Sequence, residues 1–441
     1  MIYIVGGGPA GRMAAVRLAS AGRDVTLFEK RALGGQCVHD GCMLVCGLND
    51  VARSIRGTEF LQKTGVIEGD VRVRYPEVMR SLEKIQERLS LILERETLDA
   101  GVKIEYGVTA EVDGRAVIAN GVLYDDAEAV IVASGAEMYV PDVPGVSLPG
   151  TYTARSIRSM PELPKRMAIV GGSISAAEFA YIFSAFGVEV SVFARSSFLS
   201  MLPARMHTAA QRDLSSVHIY ENAPLERVLG SDHVEGVVAG GVTTACDAVL
   251  FATGVQPHSP HVRGLLKNAD GSIAVNEKME TSVPGVYACG DVVGAPYFTP
   301  VSRLQGFAAA DAILGVSRTV DLSRIPFTVV LGLDYTVCRD ADAEGASFAS
   351  PNIAGPGSVW HVSDGSVGTM ELNVDPLDGR ILGFSSSGPG TGLVGTYLGY
   401  LVRKGVTVHE FSPMLEIHPI SDGLYSMIRF AEDHLSGQKR E

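Results

Sequence analysis

The 441-residue sequence lacks several features that would assign it to a class at once. No uninterrupted apolar run approaches the roughly 20 residues needed to span a bilayer. Basic residues are outnumbered, 37 Lys and Arg against 50 Asp and Glu, and the net charge of −13 disfavours binding to nucleic acid. Six cysteines are too few for a disulfide-stapled secreted scaffold of this length.

The hydrophobic content and the length of the sequence predict an ordinary globular protein. Hydrophobic residues make up 46% of it, which is enough for several buried cores, and the length predicts about three domains. Met1 leads directly into the apolar segment IYIV without a basic start or a cleavage site, so we expect no signal peptide and a cytoplasmic protein. In that compartment a cysteine pair is more often catalytic or metal-binding than structural.

Residues 2–29 have the pattern of a strand, a glycine turn, a helix and a second strand. Gly6, Gly8 and Gly11 give the Gly-x-Gly-x-x-Gly spacing, which permits a tight turn, close approach to a pyrophosphate and close packing of the helix on the strand. Glu29 ends the second strand, where a carboxylate can bind ribose hydroxyls. The segment predicts a dinucleotide site, with the pyrophosphate at the helix N-terminus.

Residues 167–195 repeat this unit without a gap. Gly171 takes the place of the first glycine, whereas Ser173 and Ala176 replace the second and the third. Alanine is accepted at the third position, but Ser173 puts a side chain near the phosphates. Two such units in one chain predict two nucleotides, one held permanently and one exchanging.

The end of the second unit predicts which nucleotide exchanges. Ala194 stands at the position that corresponds to Glu29, and Arg195 follows it. A missing acid beside an arginine favours the 2′-phosphate of NADP over the free ribose of NAD. The alternative is that Arg195 is an ordinary solvated surface residue.

A cysteine pair follows the first unit directly. Cys37 and Cys42 are separated by four residues, and Gly34, Gly35 and Gly41 lie around them, which permits close approach to a flat ring. A helix is predicted from Gly41 onward, and its N-terminus would lower the pKa of Cys42. Zinc binding is disfavoured because no second Cys or His pair stands at ligand spacing, so we expect no metal. Two inert buried thiols are the remaining alternative.

The whole chain resembles the pyridine nucleotide-disulfide oxidoreductases, the family of dihydrolipoamide dehydrogenase, glutathione reductase and mercuric reductase. The segments that carry the resemblance occur in family order: GGQCVHDGC around the cysteines; VIVASGA (130–136, with Gly135) and VLFATGV (249–255), similar to two Ala-Thr-Gly strands; PGVYACGDVVG (284–294), similar to the second FAD motif; TPVSRLQG (299–306); IPFTVVLGLDYTV (325–337); and EIHPISD (416–422).

The resemblance implies the cofactors and the roles of several residues. FAD would be bound with Asp291 at its ribityl chain, and NADP (or NAD) would supply hydride to it. Cys42 would be the cysteine nearer the flavin, and Cys37 would exchange with the substrate. His418 would act as acid–base in the site of the other subunit of a homodimer. The remaining cysteines, Cys246, Cys289 and Cys338, are expected to be small core residues.

The sequence departs from the family pattern at two places. The family Lys that lies near the flavin and pairs with a Glu is replaced by Cys46, while the Glu is kept as Glu178. We hypothesise a lower flavin potential and a neutral Glu178, with Cys46 either filling space or acting as a third redox thiol. The Glu expected five residues after His418 is absent, so Asp422, four residues on, is the candidate support.

These observations predict an α/β protein with two Rossmann-like nucleotide-binding domains and a C-terminal α+β dimerisation domain. The FAD-binding domain is expected at 1–148 and 259–322, the NAD(P)-binding domain at 149–258 and the interface domain at 323–441. Residues 77–98 predict a packing helix of the FAD domain, with apolar positions that include Leu82 and Ile85.

The predicted function is NAD(P)H:disulfide oxidoreductase, most simply the NADPH-driven reduction of a small disulfide. Three alternatives stay open: dihydrolipoamide dehydrogenase, which runs from dithiol to NAD; a flavin reductase or ferredoxin-linked enzyme without disulfide turnover; and a flavoprotein redox sensor or electron-transfer subunit. No nucleic acid or membrane partner is expected.

Overall fold

The computed structural model describes residues 1–318, 320–339, 345–349, 368–418 and 421–438. Within those ranges no helix combines the length and the apolar character needed to cross a membrane. The described residues form three structural units, two with parallel sheets and one with an antiparallel sheet.

The strands and helices follow one another along the chain with these bounds. The strands are β1 (Ile2–Val5), β2 (Val25–Glu29), β3 (Lys103–Tyr106), β4 (Ala110–Asp113), β5 (Ala116–Ala119), β6 (Val122–Tyr124), β7 (Ala129–Val132), β8 (Ala136–Met138), β9 (Thr151–Thr153), β10 (Arg166–Val170), β11 (Glu189–Phe193), β12 (His218–Tyr220), β13 (Leu225–Leu229), β14 (Gly236–Ala239), β15 (Val242–Ala245), β16 (Ala248–Phe251), β17 (Val255–Pro257), β18 (Val262–Arg263), β19 (Val286–Ala288), β20 (Phe327–Val330), β21 (Asp334–Arg339), β22 (Ala346–Ala349), β23 (Thr369–Val374) and β24 (Ile381–Gly388). The helices are α1 (Pro9–Ser20), α2 (Gly35–His39), α3 (Cys42–Lys63), α4 (Tyr75–Asp99), α5 (Ile174–Ala185), α6 (Ala204–Asp213), α7 (Thr299–Ile313), α8 (Thr391–Lys404), α9 (Val408–Phe411) and α10 (Asp422–Gln438).

The first unit is a parallel sheet in the order β19-β7-β1-β2-β3, which confirms the predicted strand–helix–strand at residues 2–29. Its central strands are buried on both faces. Ile2 and Ile4 pack toward α1 and α7, and Tyr3 and Val5 pack toward the small sheet of β4–β6. Covered faces explain why these strands are continuously apolar and do not alternate with polar residues.

Glycine sets the close packing at the start of α1. A Cβ at Gly11 would lie 2.0 Å from the carbonyl oxygen of Gly6, and one at Gly306 would lie 2.2 Å from that of Ala10. The turn, α1 and α7 can therefore approach only because these positions lack side chains.

The second unit repeats the first, as the sequence predicts. Its parallel sheet has the order β12-β11-β10-β16-β9, with β10 between β11 and β16. Nearly all of α5 is buried, and it packs against α3 of the first unit and against β20. Because of this contact, Glu178 of the second unit lies close to α3, the helix that begins at Cys42.

The C-terminal unit is an antiparallel sheet in the order β20-β21-β24-β23-β22, with α8 and α10 packed on it. Its core includes Phe384, Leu398 and Met427. Large apolar side chains remain exposed outside that core, on α8 and in the segment before α10: Leu393, Tyr397, Tyr400, Leu415 and Ile417.

The predicted packing helix exists as α4, but one of its expected buried positions is wrong. Ile85 is 53% exposed, whereas the neighbouring Gln86 is buried. The amide of Gln86 donates to the carbonyl oxygens of Val38 (2.7 Å) and His39 (3.2 Å), so hydrogen bonding to the cysteine segment decides which side of this turn faces inward. The remaining cysteines are buried as predicted: Cys246, Cys289 and Cys338.

The first unit is built from two separated stretches of chain. β19 pairs with β7 in the first sheet, and α7 packs against α1. This arrangement agrees with an FAD-binding domain interrupted by the second unit. The boundaries at 148, 258 and 322 stay predictions.

Candidate active site

The two cysteines that follow the first unit lie at the junction of α2 and α3. Cys37 is on α2, Cys42 is the first residue of α3, and both are free thiols that hydrogen-bond to each other. Thr299, at the start of α7, places its Oγ1 3.7 Å from the Sγ of Cys42. Arg303, one turn further along α7, adds positive charge near Cys37.

Each thiol changes the acidity of the other. The hydrogen bond from the Cys42 thiol lowers the pKa of Cys37 to about 6, and Thr299 and Arg303 act in the same direction. The same contact is the main factor that raises the pKa of Cys42, whose side chain remains exposed. The pair therefore releases one proton readily and holds the second. The lowered pKa predicted for Cys42 is wrong for the reduced pair, because the neighbouring thiolate outweighs the helix N-terminus.

Glu178 and Cys46 lie beside this pair, where α5 packs against α3. Glu178 is 9% exposed, and its Oε1 accepts a hydrogen bond of 3.1 Å from the backbone N–H of Val330. Arg53 is close by, but its guanidinium donates to the Leu331 carbonyl and to Asp334. Burial, together with the charge of Cys42, raises the pKa of Glu178 to about 8, in the predicted direction. Desolvation and Glu178 in turn raise the pKa of Cys46.

The raised pKa of Glu178 gives an expected pH dependence of stability. The unfolded chain loses this proton near pH 4.5 and the folded chain near pH 8, so the folded state binds more protons in that window. The free energy of unfolding therefore falls as pH rises through it. Glu178→Gln should reduce the fall between pH 5 and pH 8, measured by urea unfolding, by a few kcal/mol at most, since one pKa unit corresponds to about 1.4 kcal/mol.

The exposed Glu277 provides the matched control for this measurement. Glu277→Gln should leave the pH dependence as in the wild type. An unchanged dependence in Glu178→Gln would show that Glu178 is ionised throughout the window.

The glycine loop of the first unit has the features needed to hold FAD. The carboxylate of Glu29 accepts hydrogen bonds from the backbone N–H groups of Gly7 (2.7 Å) and Arg31 (2.8 Å) at the carboxyl end of β2. A Cβ at Gly35 would lie 2.9 Å from the Cα of Gly8, so the glycine loop and the cysteine segment meet without side chains between them. A cofactor can therefore approach both backbones.

Other polar groups at this site also fit a bound cofactor. Asp291 accepts a hydrogen bond from Ser302 (3.1 Å), and burial raises its pKa. The Oε1 of Gln36, beside Cys37, is buried and has no hydrogen-bond partner in the described part of the chain. A Cβ at Gly135 would meet open space. An unsatisfied buried acceptor and an open glycine are consistent with a polar ligand such as FAD.

The second glycine loop packs closely against the residue that follows β11. A Cβ at Gly172 would lie 3.0 Å from that of Ala194, which is fully buried. Ser173 precedes α5 without capping it, and Ala176 is buried. Arg195 is exposed beside them.

His418 is separate from these elements and open to solvent. Its Nδ1 lies 2.7 Å from Oδ1 of Asp422, and its side chain is 76% exposed. The carboxylate four residues on therefore supports the imidazole. The rest of the His-Pro segment, Pro419 and Ile420, lies outside the described residues.

Three polar side chains of this region were not predicted from the sequence to have a role. Thr299 and Arg303 come from the segment TPVSRLQG, whose position in the order of motifs was a usable signal. Asp40, between the two cysteines, pairs with Arg31 and Arg155, and no motif indicates that contact. Among the described residues no group of three or more His, Cys, Asp and Glu side chains is arranged to hold a metal ion.

Two parallel-sheet units with glycine loops, and a pair of interacting thiols that follows the first of them, define a nucleotide-dependent dithiol oxidoreductase. The chain belongs to the pyridine nucleotide-disulphide oxidoreductase family, whose model matches residues 1–306. That match covers both nucleotide units and the cysteine pair. Membership makes the protein an oxidoreductase and implies the use of FAD and of NAD or NADP.

Curated relatives match along most of their length. Mercuric reductase of Acidithiobacillus ferrooxidans is 26% identical, over 94% of this chain and 79% of its own. The probable pyridine nucleotide-disulfide oxidoreductase RclA of Escherichia coli is 27% identical, over 87% and 88%. Dihydrolipoyl dehydrogenase of Haemophilus influenzae is 25% identical, over 95% and 92%. The solved structure of E. coli RclA, described as an HOCl-induced flavoprotein disulfide reductase, superposes with a TM-score of 0.84 at 22% identity, over 97% of this chain and 99% of that one, which shows the shared fold.

Proposed function

We propose that the protein is an FAD-dependent enzyme that uses NADPH to reduce a small disulfide through Cys37 and Cys42. The observation that carries this proposal is the thiol pair itself, in which the Cys42 thiol stabilises a Cys37 thiolate at neutral pH. A thiolate is the attacking form in thiol–disulfide exchange, and an attacking thiol works best when its pKa is near the ambient pH.

Reduction of the substrate needs only groups of the two subunits and the substrate itself. The Cys37 thiolate attacks one sulfur of the substrate, the substrate S–S bond breaks, and His418 of the partner subunit protonates the departing thiolate. Cys42 then passes its proton to the partner's His418 and attacks Cys37. The second substrate group leaves as a thiolate, which the same imidazole protonates, and the Cys37–Cys42 disulfide remains. Asp422 keeps the His418 imidazole oriented for proton transfer.

The cofactors would restore the dithiol. Bound FAD would accept hydride from NADPH and pass two electrons to the disulfide. Glu29, Gly35 and Asp291 would hold FAD, together with the glycine loop of the first unit. Gly171, Ser173 and Arg195 would hold the exchanging nucleotide, and Arg195 favours NADPH because it can pair with the extra phosphate.

An anaerobic titration tests this function. Purified protein is reduced with NADPH or NADH, and then reoxidised with a panel of low-molecular-weight disulfides. Faster reduction by NADPH and reoxidation by at least one disulfide are expected. A protein that neither nucleotide reduces, or whose reduced form no disulfide reoxidises, would contradict the proposal.

Dihydrolipoyl dehydrogenase activity is the second candidate, because several relatives carry that name. It requires the reverse direction, in which a dithiol reduces the Cys37–Cys42 disulfide and NAD accepts the hydride. Preference for NAD and turnover of free dihydrolipoamide in the same assays would favour it.

We also propose that the protein works as a homodimer through its C-terminal unit. Leu393, Tyr397 and Tyr400 expose large apolar surfaces on α8, and Leu415 and Ile417 do so just before His418. Several large apolar side chains exposed along one helix, as on α8, are typical of an interaction site. Sedimentation at micromolar concentration should give the mass of two chains.

His418→Gln should slow disulfide turnover about 10²-fold or more while flavin reduction by NADPH stays within about twofold. Loss of a general acid removes roughly 10²–10⁴-fold in rate, and His418 serves only the thiol half-reaction. Stopped-flow absorbance separates the two steps. His409→Gln, at another histidine bonded to a carboxylate, is the control. Equal slowing of both half-reactions would assign His418 a structural role.

Cys46→Lys should raise the flavin reduction potential by about 30–60 mV. A cation beside the flavin stabilises its anionic reduced form, and a charge-assisted interaction of about 1.5–3 kcal/mol corresponds to this range for a two-electron couple. Dye-equilibrated titration of the holoenzyme measures the potential. Cys46→Ser, a neutral replacement, should leave it near the wild-type value, and an unchanged or lower potential in Cys46→Lys would refute the hypothesis.

A further inference from the structure

A basic cavity lies behind the loop that joins the two cysteines. Its volume is about 200 Å³, and it is lined by Arg31, Ala32, His39, Asp40, Arg155 and Arg158. The lining thus contains three guanidinium groups and a single carboxylate. In a protein whose net charge is −13, this lining is a local concentration of positive charge that attracts anions.

The one acid of this cavity is held by arginines from two parts of the fold. Asp40 lies between Cys37 and Cys42 in the sequence, and its side chain is only 4% exposed. Nη2 of Arg31, which follows β2, donates to Oδ2 of Asp40 at 2.7 Å, and Nε of Arg155, which follows β9, lies 3.4 Å from the same oxygen. The carboxylate oxygen thus links the cysteine loop to both nucleotide units.

The arginines have more donors than Asp40 uses. A guanidinium carries five N–H groups, and Asp40 engages one nitrogen of each of two arginines. Nε of Arg155 is buried and makes no hydrogen bond within the described residues, since its contact with Asp40 is an ion pair without hydrogen-bond geometry. Arg158 uses Nη2 for the His39 carbonyl and for Gln86. Donors therefore remain for an oxygen-rich anion.

We propose that this cavity binds a phosphate-class dianion, either free inorganic phosphate or the phosphoryl group of a small monoester. Planar guanidinium groups match the oxygen spacing of phosphate and can bind it with two parallel hydrogen bonds. The volume is below the roughly 300–1,000 Å³ of pockets for cofactor-sized ligands, so a small anion fits better than a whole nucleotide.

Binding here acts on the dithiol through Asp40. The anion and the carboxylate share the guanidinium groups of Arg31 and Arg155, so an occupied cavity weakens the ion pairs that hold the loop between Cys37 and Cys42. The anion affinity and the dithiol–disulfide equilibrium are therefore coupled, and the coupling is reciprocal.

Calorimetric titration of the FAD-loaded enzyme with inorganic phosphate, at constant ionic strength, tests the site. Arg155→Gln should weaken binding about ten- to hundredfold, the loss expected for a charge-assisted contact. Asp40→Asn breaks the same ion pair but removes the competing carboxylate, so it should tighten binding. A purely structural ion pair predicts that both variants behave alike, and equal effects in both, or no effect in either, would overturn the proposal.

Two further arms locate the site and identify the ligand. Arg195→Gln should leave phosphate affinity unchanged, and loss of binding in that variant would assign the phosphate to the exchanging nucleotide and overturn the proposal. Methyl phosphate in place of phosphate distinguishes the two sources: tighter binding of the ester supports a phosphomonoester, and tighter binding of phosphate supports the free ion.

Discussion

Cys42→Ala should lower disulfide turnover about 10³-fold or more and raise the pKa of Cys37 from about 6 toward its ordinary value. The loss of turnover follows because Cys37 can then form a mixed disulfide with the substrate but cannot be resolved. The rise in pKa follows because the hydrogen bond from the Cys42 thiol is the largest factor that stabilises the Cys37 thiolate. The pKa of Cys37 is measured from the rate of its alkylation as a function of pH.

Cys46→Ala is the matched control, because it removes a thiol from the same helix without breaking the pair. It should keep both the turnover and the alkylation profile of the wild type. If Cys42→Ala left the alkylation profile of Cys37 unchanged, the hydrogen bond between the thiols would not be the cause of its acidity. A Cys46→Ala variant without turnover would make Cys46 a third redox thiol.

Arg195→Gln should lower kcat/KM for NADPH about ten- to hundredfold and leave kcat/KM for NADH within about twofold. A charge-assisted contact with the 2′-phosphate contributes about 1.5–3 kcal/mol, and NADH has no group at that place. Steady-state assays with both nucleotides and one disulfide measure the ratio. Arg227→Gln, at an exposed arginine on β13 of the same unit, should change neither value. Equal losses for the two nucleotides would refute the assignment of Arg195.

The two nucleotide units could be predicted because their signals are local. Gly6, Gly11 and Glu29 lie within one strand–helix–strand, where Gly6 adopts a positive φ of 106° and a Cβ at Gly11 would lie 2.0 Å from the Gly6 carbonyl oxygen. The helix that begins at Cys42 was predictable for the same reason. Backbone requirements of this kind restrict which residue types can occur at a position, so they can be recognised in the sequence.

Long-range polar contacts cannot be recognised in this way. Asp40 forms an ion pair with Arg155, which is 115 residues away in the sequence. The amide of Gln86 donates to backbone carbonyls 47 and 48 residues away. The hydrophobic pattern of α4 predicted a buried Ile85, but those amide bonds decide the orientation there. The acidity of Cys37 likewise depends on Thr299 and Arg303, which only the folded chain brings close.

The interruption of the first sheet also fixes an order of events during synthesis. β7 is an apolar strand whose outer neighbour, β19, leaves the ribosome more than 150 residues later. The strands of the second sheet, from β9 to β16, are all present by then, and domains generally fold as units while the chain is being made. The unit that comes second in the sequence is thus completed first. On the role proposed for Asp291, flavin binding has to wait for this residue, and until β19 is made the outer edge of β7 is unpaired and open to aggregation.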